Sequence, residues 1–128
     1  MSMKRILIVD DEIDLVKLIR FRLKKAGYEI LTAYSGSDGL AIIQQEKPDL
    51  VLLDLNLPGM LGSEVCTRVK ADAELRHIPI VLLSASAENL KERARQIGAN
   101  ASLVKPFEHQ TLIEIIARLV NQGGNNDE

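Results

Sequence analysis

Short aliphatic runs punctuate the chain, and helical periodicity follows each of them. The clearest runs are Ile6-Leu7-Ile8-Val9, Leu50-Val51-Leu52-Leu53 and Ile80-Val81-Leu82-Leu83, the last led in by Ile78-Pro79. Runs this long without polar alternation predict strands buried on both faces, as in a parallel sheet. Residues 28–34 alternate weakly and 101–104 form a shorter run, which predicts two further strands. After the first run, Leu15, Ile19, Leu23 and Ala26 recur at helical spacing, and Val16, Leu18 and the stem of Arg22 widen the stripe. Acids in its first turn and Lys24-Lys25 in its last suit the helix dipole, and Gly27 follows as a C-cap. Ser35-Gly36-Ser37-Asp38 resembles a capping box with Asp in the Glu position. The helix it opens carries Leu40, Ile42 and Ile43 and stops near Lys47, because Pro48 disfavours continuation. A third helix is predicted over 62–73, with Val65, Cys66 and Val69 inward. A fourth, over 88–97, has only the narrow apolar line Leu90, Ala94 and Ile97, and Gly98 ends it. Leu112, Ile113, Ile116, Leu119 and Val120 mark the last helix, and the polar stretch 122–128 is expected to fray.

Five alternations of strand and helix predict an α/β fold. The sheet is open, parallel and five-stranded, with helices on both faces and right-handed crossovers. In such a doubly wound sheet every strand points the same way. All the C-terminal strand ends then share one edge, where ligands bind.

Composition narrows the picture further. A chain of 128 residues fits one domain, expected over 4–121, with 122–128 as a polar flexible tail. Aromatic residues make up 3%, so the core is built from Leu, Ile, Val and Ala, and no stacking platform for single strands exists. A net charge of -2 gives no general pull toward nucleic acid or an anionic membrane. Cys66 stands alone, which excludes a disulfide within the chain and fits a small buried hydrophobe. No apolar run approaches the roughly 20 residues of a membrane span. The start of the chain does not read as a signal peptide. The expected location is a reducing cytoplasm.

The chemistry lies at the strand ends. The first strand delivers Asp10-Asp11, the third Asp54, the fourth Ser84 and the fifth Lys105. Any one of these reads as a cap, a turn residue or a solvated lysine. Four together at one edge argue for a site. Clustered carboxylates repel unless a cation compensates. Oxygen ligands without His or Cys favour Mg²⁺, with Mn²⁺ also possible. Lys105 adds a mobile positive charge suited to a phosphate oxygen, and Ser84 a hydroxyl. A carboxylate in such a cradle can act as nucleophile and form an aspartyl phosphate.

These elements resemble a response-regulator receiver domain of two-component signalling. The quoted pieces are Ile8-Val9-Asp10-Asp11-Glu12, Leu53-Asp54-Leu55-Asn56-Leu57-Pro58-Gly59, Leu83-Ser84-Ala85 and Val104-Lys105-Pro106-Phe107. The likeness runs from Lys4 to Val120. It implies a flavodoxin-like (βα)5 fold, as in CheY, with strand order 2-1-3-4-5. By the resemblance, Asp54 is the phosphoacceptor. Asp11 binds Mg²⁺ directly, Asp10 mainly through water, and the backbone carbonyl of Asn56 completes the set with Asp54. Ser84 and Lys105 contact the phosphoryl group, and the Lys105-Pro106 bond is cis. The donor is a histidine kinase or histidine phosphotransfer protein, docking near Ile13, Lys17, Pro106 and Phe107. The output is altered binding to a downstream protein, and Asn56 and Ser86 hold positions that tune the lifetime of the phosphoryl group. Such a domain is no enzyme in the usual sense: it catalyses only its own phosphorylation and slow autodephosphorylation.

One departure is that Ser102 stands where receivers commonly carry Tyr or Phe, so the aromatic half of the usual switch is missing. The thin fourth helix is then the expected reporter of state. Glu12 reads as a helix-start acid, and His77 and His109 as surface residues. Two rivals are a pseudo-receiver that binds partners without phosphorylation and a Mg²⁺-dependent phosphohydrolase. The first tends to lose an acid or the lysine. The second, of the haloacid dehalogenase type, carries its nucleophile in D-x-D-x-T after the first strand, where this chain has Asp10-Asp11-Glu12.

Overall fold

The computed structural model describes residues 3–123. The elements follow in the order β1 (Arg5–Val9), α1 (Ile13–Lys25), β2 (Glu29–Ala33), α2 (Gly36–Glu46), β3 (Leu50–Asp54), α3 (Gly62–Ala71), β4 (Ile80–Ser84), α4 (Leu90–Ile97), β5 (Ala101–Val104) and α5 (His109–Gly123). All strand pairings are parallel and the order across the sheet is β2-β1-β3-β4-β5. The doubly wound reading therefore holds.

Strand alternation sorts the core into two layers. Leu7, Val9, Val51, Leu53, Ile80 and Leu82 face α2, α3 and α4 through Leu40, Ile43, Val65, Cys66, Val69, Leu90 and Ala94. Ile6, Ile8, Leu50, Leu52, Val81 and Leu83 face α1 and α5 through Val16, Ile19, Leu23, Leu112, Ile116 and Leu119. Every residue of β3 and β4 is buried, whereas none in the edge strand β5 is. This is why the central runs read as unbroken aliphatic stretches.

Several local features follow the residue chemistry. The Ser35 hydroxyl accepts the Asp38 N–H at 3.2 Å, so the capping motif forms its first half. Gly62 opens α3 directly beneath the end of β3. A Cβ there would meet the Asp54 carbonyl oxygen at 2.1 Å, so only glycine lets the helix start at this height.

Some boundaries differ from the expectation. α3 ends at Ala71, because Asp72 is extended and 72–78 turn through bonds such as Leu75 N–H to the Asp72 carbonyl. α4 starts at Leu90 rather than 88, since Asn89 sits in the left-handed region at φ 55°. On α1, Leu18 is 48% exposed, and Arg22 and Ala26 are also exposed, so the buried stripe is only Val16, Ile19 and Leu23. The helix α5 runs to Gly123, into the stretch read as tail. The rest of that stretch, 124–128, lies outside the described residues.

Candidate functional site

Register brings the site together. Val9 pairs with Leu53, so Asp10 and Asp54, each the next residue, leave the sheet at one level. Ser84 pairs with Val104, which places Lys105 one step beyond. Asp10, Asp54 and Lys105 all continue the alternation of the α1/α5 face, whereas Ser84 continues that of the other face. The contacts obey this parity. Lys105 Nζ lies 2.7 Å from Asp10 Oδ2 and 3.3 Å from Asp54 Oδ2. Ser84 Oγ instead accepts the Ser86 N–H at 3.1 Å, and its backbone carbonyl accepts the Lys105 N–H at 2.7 Å.

Asp10 is fully buried, Asp54 is 4% exposed and Ser84 1%. Each carboxylate is steadied by the backbone two residues on. The Glu12 N–H donates to Asp10 Oδ1 at 2.9 Å, and the Asn56 N–H to Asp54 Oδ1 at 3.0 Å. Both acids thus turn their other oxygen, Oδ2, toward Lys105. Burial pushes the Asp10 carboxyl above its ordinary value, partly offset by Lys105 and the Glu12 N–H. Burial also pulls the Lys105 ammonium down, but Asp10, Glu12 and Asp54 together outweigh it and hold the group charged.

The structure adds a residue that sequence reasoning set aside. Glu12 Oε2 lies 2.5 Å from Lys105 Nζ, and Asp10, Glu12 and Asp54 each bring an oxygen within 4.8 Å of the others. Asp11, expected to bind metal directly, is exposed and is not one of these three. No local pattern announces the Glu12 contact, because its partner lies 93 positions away. The Lys105-Pro106 bond is cis. Ser102 pairs with Leu82, well below the site.

The donor set suits a hard divalent cation. Of the expected ligands, Asp10 and Asp54 bring oxygens together, with Glu12 as a third acid in place of Asp11, and buried Asp10 Oδ2 has an ion-pair contact to Lys105 but no hydrogen bond. A buried carboxylate oxygen in that condition fits a metal ligand.

A parallel α/β sheet carrying buried carboxylates around one ammonium at its C-terminal edge defines a cradle for a small oxyanion and a cation. The comparisons specify the class. A sequence profile described as response regulator receiver domain matches residues 6–117, so the chain belongs to that family of two-component signalling domains. Among solved structures, the chemotaxis response regulator CheY4 of Vibrio cholerae is similar at 33% identity and TM-score 0.85, covering 92% of this chain and 99% of that one. A CheY-like receiver domain protein from Methanospirillum hungatei is similar at 31% identity and TM-score 0.89, covering 98% and 99%. The response regulator TrrA from Thermotoga maritima, solved in complex with Mg²⁺ and BeF, is similar at 34% identity and TM-score 0.83, covering 91% and 99%. No helix among the described residues is long and apolar enough to cross a membrane.

Proposed function

We propose that the chain accepts a phosphoryl group onto Asp54 from a phosphohistidine of a kinase or phosphotransfer protein, and thereby changes its binding to a downstream protein. The observation that carries the reading is the ammonium of Lys105, held against Asp10 and Asp54 in a nearly closed corner of the sheet. In the transfer, an Asp54 carboxylate oxygen forms the new O–P bond while the P–N bond to the donor imidazole breaks. The electron pair of that bond stays on the imidazole nitrogen, which takes up a proton. The product is an aspartyl phosphate.

Each neighbour then has a task. The Asn56 N–H orients Asp54 through Oδ1, leaving Oδ2 on the side of Lys105. Lys105 offsets negative charge on the phosphoryl oxygens, which in such transfers is a large part of catalysis. Ser84 supplies a hydroxyl from the adjacent strand end; its oxygen accepts the Ser86 N–H, which leaves the O–H proton available to a phosphoryl oxygen. Asp10, Asp11, Asp54 and the Asn56 carbonyl are the proposed holders of Mg²⁺. When bound, Mg²⁺ supplies positive charge that offsets the crowded carboxylates and the incoming oxyanion.

The domain turns over no external substrate on this reading. Its output is a shift between populations that bind different partners. Incubation with acetyl phosphate, with and without Mg²⁺, tests the proposal by intact mass. The expected result is a gain of one phosphoryl group that needs Mg²⁺ and is absent from Asp54→Asn. No gain in the unmodified protein, or an equal gain in Asp54→Asn, overturns it.

A further inference from the structure

We infer that Glu12 is a positioning residue, a displaceable counter-anion that occupies Lys105 until an oxyanion arrives at Asp54. The inference rests on the phosphoacceptor reading of the site and concerns how that site is kept in waiting.

An ammonium offers three N–H donors. Three carboxylate oxygens already surround Lys105 Nζ: Asp10 Oδ2 at 2.7 Å, Glu12 Oε2 at 2.5 Å and Asp54 Oδ2 at 3.3 Å. Glu12 and Asp54 accept hydrogen bonds from it and Asp10 adds an ion-pair contact without one, so an arriving phosphoryl oxygen must compete with them for the ammonium. Asp10 is buried and pinned by the Glu12 N–H, so it has no water to turn to. Asp54 is buried and pinned by the Asn56 N–H, and it carries the incoming group.

Glu12 differs on every count. Its side chain is 59% exposed, and among the described residues Lys105 is its one side-chain partner. It stands at the N-cap of α1 but makes no side-chain cap bond there. Swinging away exchanges an ion pair whose Glu12 end is already open to solvent for water, while Lys105 keeps Asp10 and Asp54 beside it. It also removes a negative charge from the path of an anion. Glu12 therefore sets how readily Lys105 is released, through contact and not through capping.

The test is titration of the full chain with beryllofluoride in saturating Mg²⁺, followed together with the ¹H–¹⁵N signal of the Lys105 ammonium. The variants are Glu12→Gln, which removes the charge, and Glu12→Asp, which keeps it on a shorter stem that falls short of Lys105. Both are expected to bind the anion about 2- to 5-fold more tightly, the ratio that loss of one competing ion pair with a solvent-facing partner corresponds to. Both are expected to move the Lys105 signal of the free protein, which a merely structural role would leave in place. Weaker or unchanged binding in Glu12→Gln overturns the inference. So does tighter binding in Glu12→Gln alone, because that reports general charge repulsion and not the contact. If the unmodified protein binds no anion at all, or binds it equally after Asp54→Asn, the phosphoacceptor reading itself falls.

Discussion

The two halves of the sheet are built to different standards. β3 and β4 are buried along their whole length, and the Asp54 side of the site rises from them. The opposite flank is lighter. β5 is an edge strand with no fully buried residue, and α4 is an eight-residue helix that buries only Leu90 and Ala94. α4 has no N-terminal side-chain cap, and Asn89 enters it in a left-handed conformation. Its remaining positions include Lys91, Arg93 and Arg95, all exposed. Acids that must stay close against their repulsion sit on the stiff half. The half with few buried residues is the one expected to open at least cost.

The sharpest way to break this contrast is to cut into each half. Leu52→Ala is expected to cost about 3 kcal/mol, as for a fully buried leucine, and Ile97→Ala, half-buried on α4, under about 1.5 kcal/mol. Urea unfolding of both variants checks this; equal costs would erase the distinction. Gly62→Ala comes next, because its Cβ would meet the Asp54 carbonyl oxygen. An expected loss of about 2 kcal/mol accompanies slower phosphorylation by acetyl phosphate, since the end of β3 must shift. Full stability and full rate in that variant would show that α3 does not fix the height of Asp54.

A third test exploits Asp10. Its carboxyl is pushed up in the folded protein by burial, so the native state binds the proton more tightly than the unfolded chain does. Stability then falls as pH rises from the ordinary carboxylate range through the raised value. Without Mg²⁺, Asp10→Asn is expected to unfold at higher temperature than the unmodified protein at pH 7, with the gain fading toward pH 4. A gain that does not change with pH would place the effect elsewhere.

The smallest effect concerns the seam between α3 and α4. The Cys66 thiol is buried, is pushed up to about 11 by that burial, and points its Sγ at the Ile97 carbonyl at 3.5 Å. Thiol labelling at neutral pH should therefore proceed only through opening of this seam. The expected result is a change of a few-fold in labelling rate, and in amide exchange across α4, when Mg²⁺ and beryllofluoride are added. Identical rates in both states would remove α4 as the reporter.

The fold was legible because three of its strands, β1, β3 and β4, are nearly pure aliphatic runs and helical spacing follows each strand. Boundaries slipped where one residue's backbone decided them, as at Asn89 and Asp72. Leu18 misled because an apolar residue on a helix need not face inward; here it borders an open groove beside Phe107 and Pro106. Position along the strands was enough to gather Asp10, Asp54 and Lys105 at one edge. It was not enough to say which way each side chain leaves the sheet, so Ser84 emerged on the other parity. The part of Glu12 was invisible for a different reason: beside two aspartates it looks like any acid opening a helix, and only the return of the chain at Lys105 gives it a partner.

One chemical experiment reaches the central claim directly. After incubation with acetyl phosphate and Mg²⁺, borohydride reduces an acyl phosphate to an alcohol, converting the aspartate that bore it to homoserine. Tandem mass spectrometry of the digest is predicted to find homoserine at position 54 and at no other acid. Homoserine at position 10 or 11, the longer alcohol 5-hydroxynorvaline at Glu12, or no reduced residue anywhere despite a gain in mass, would contradict the account.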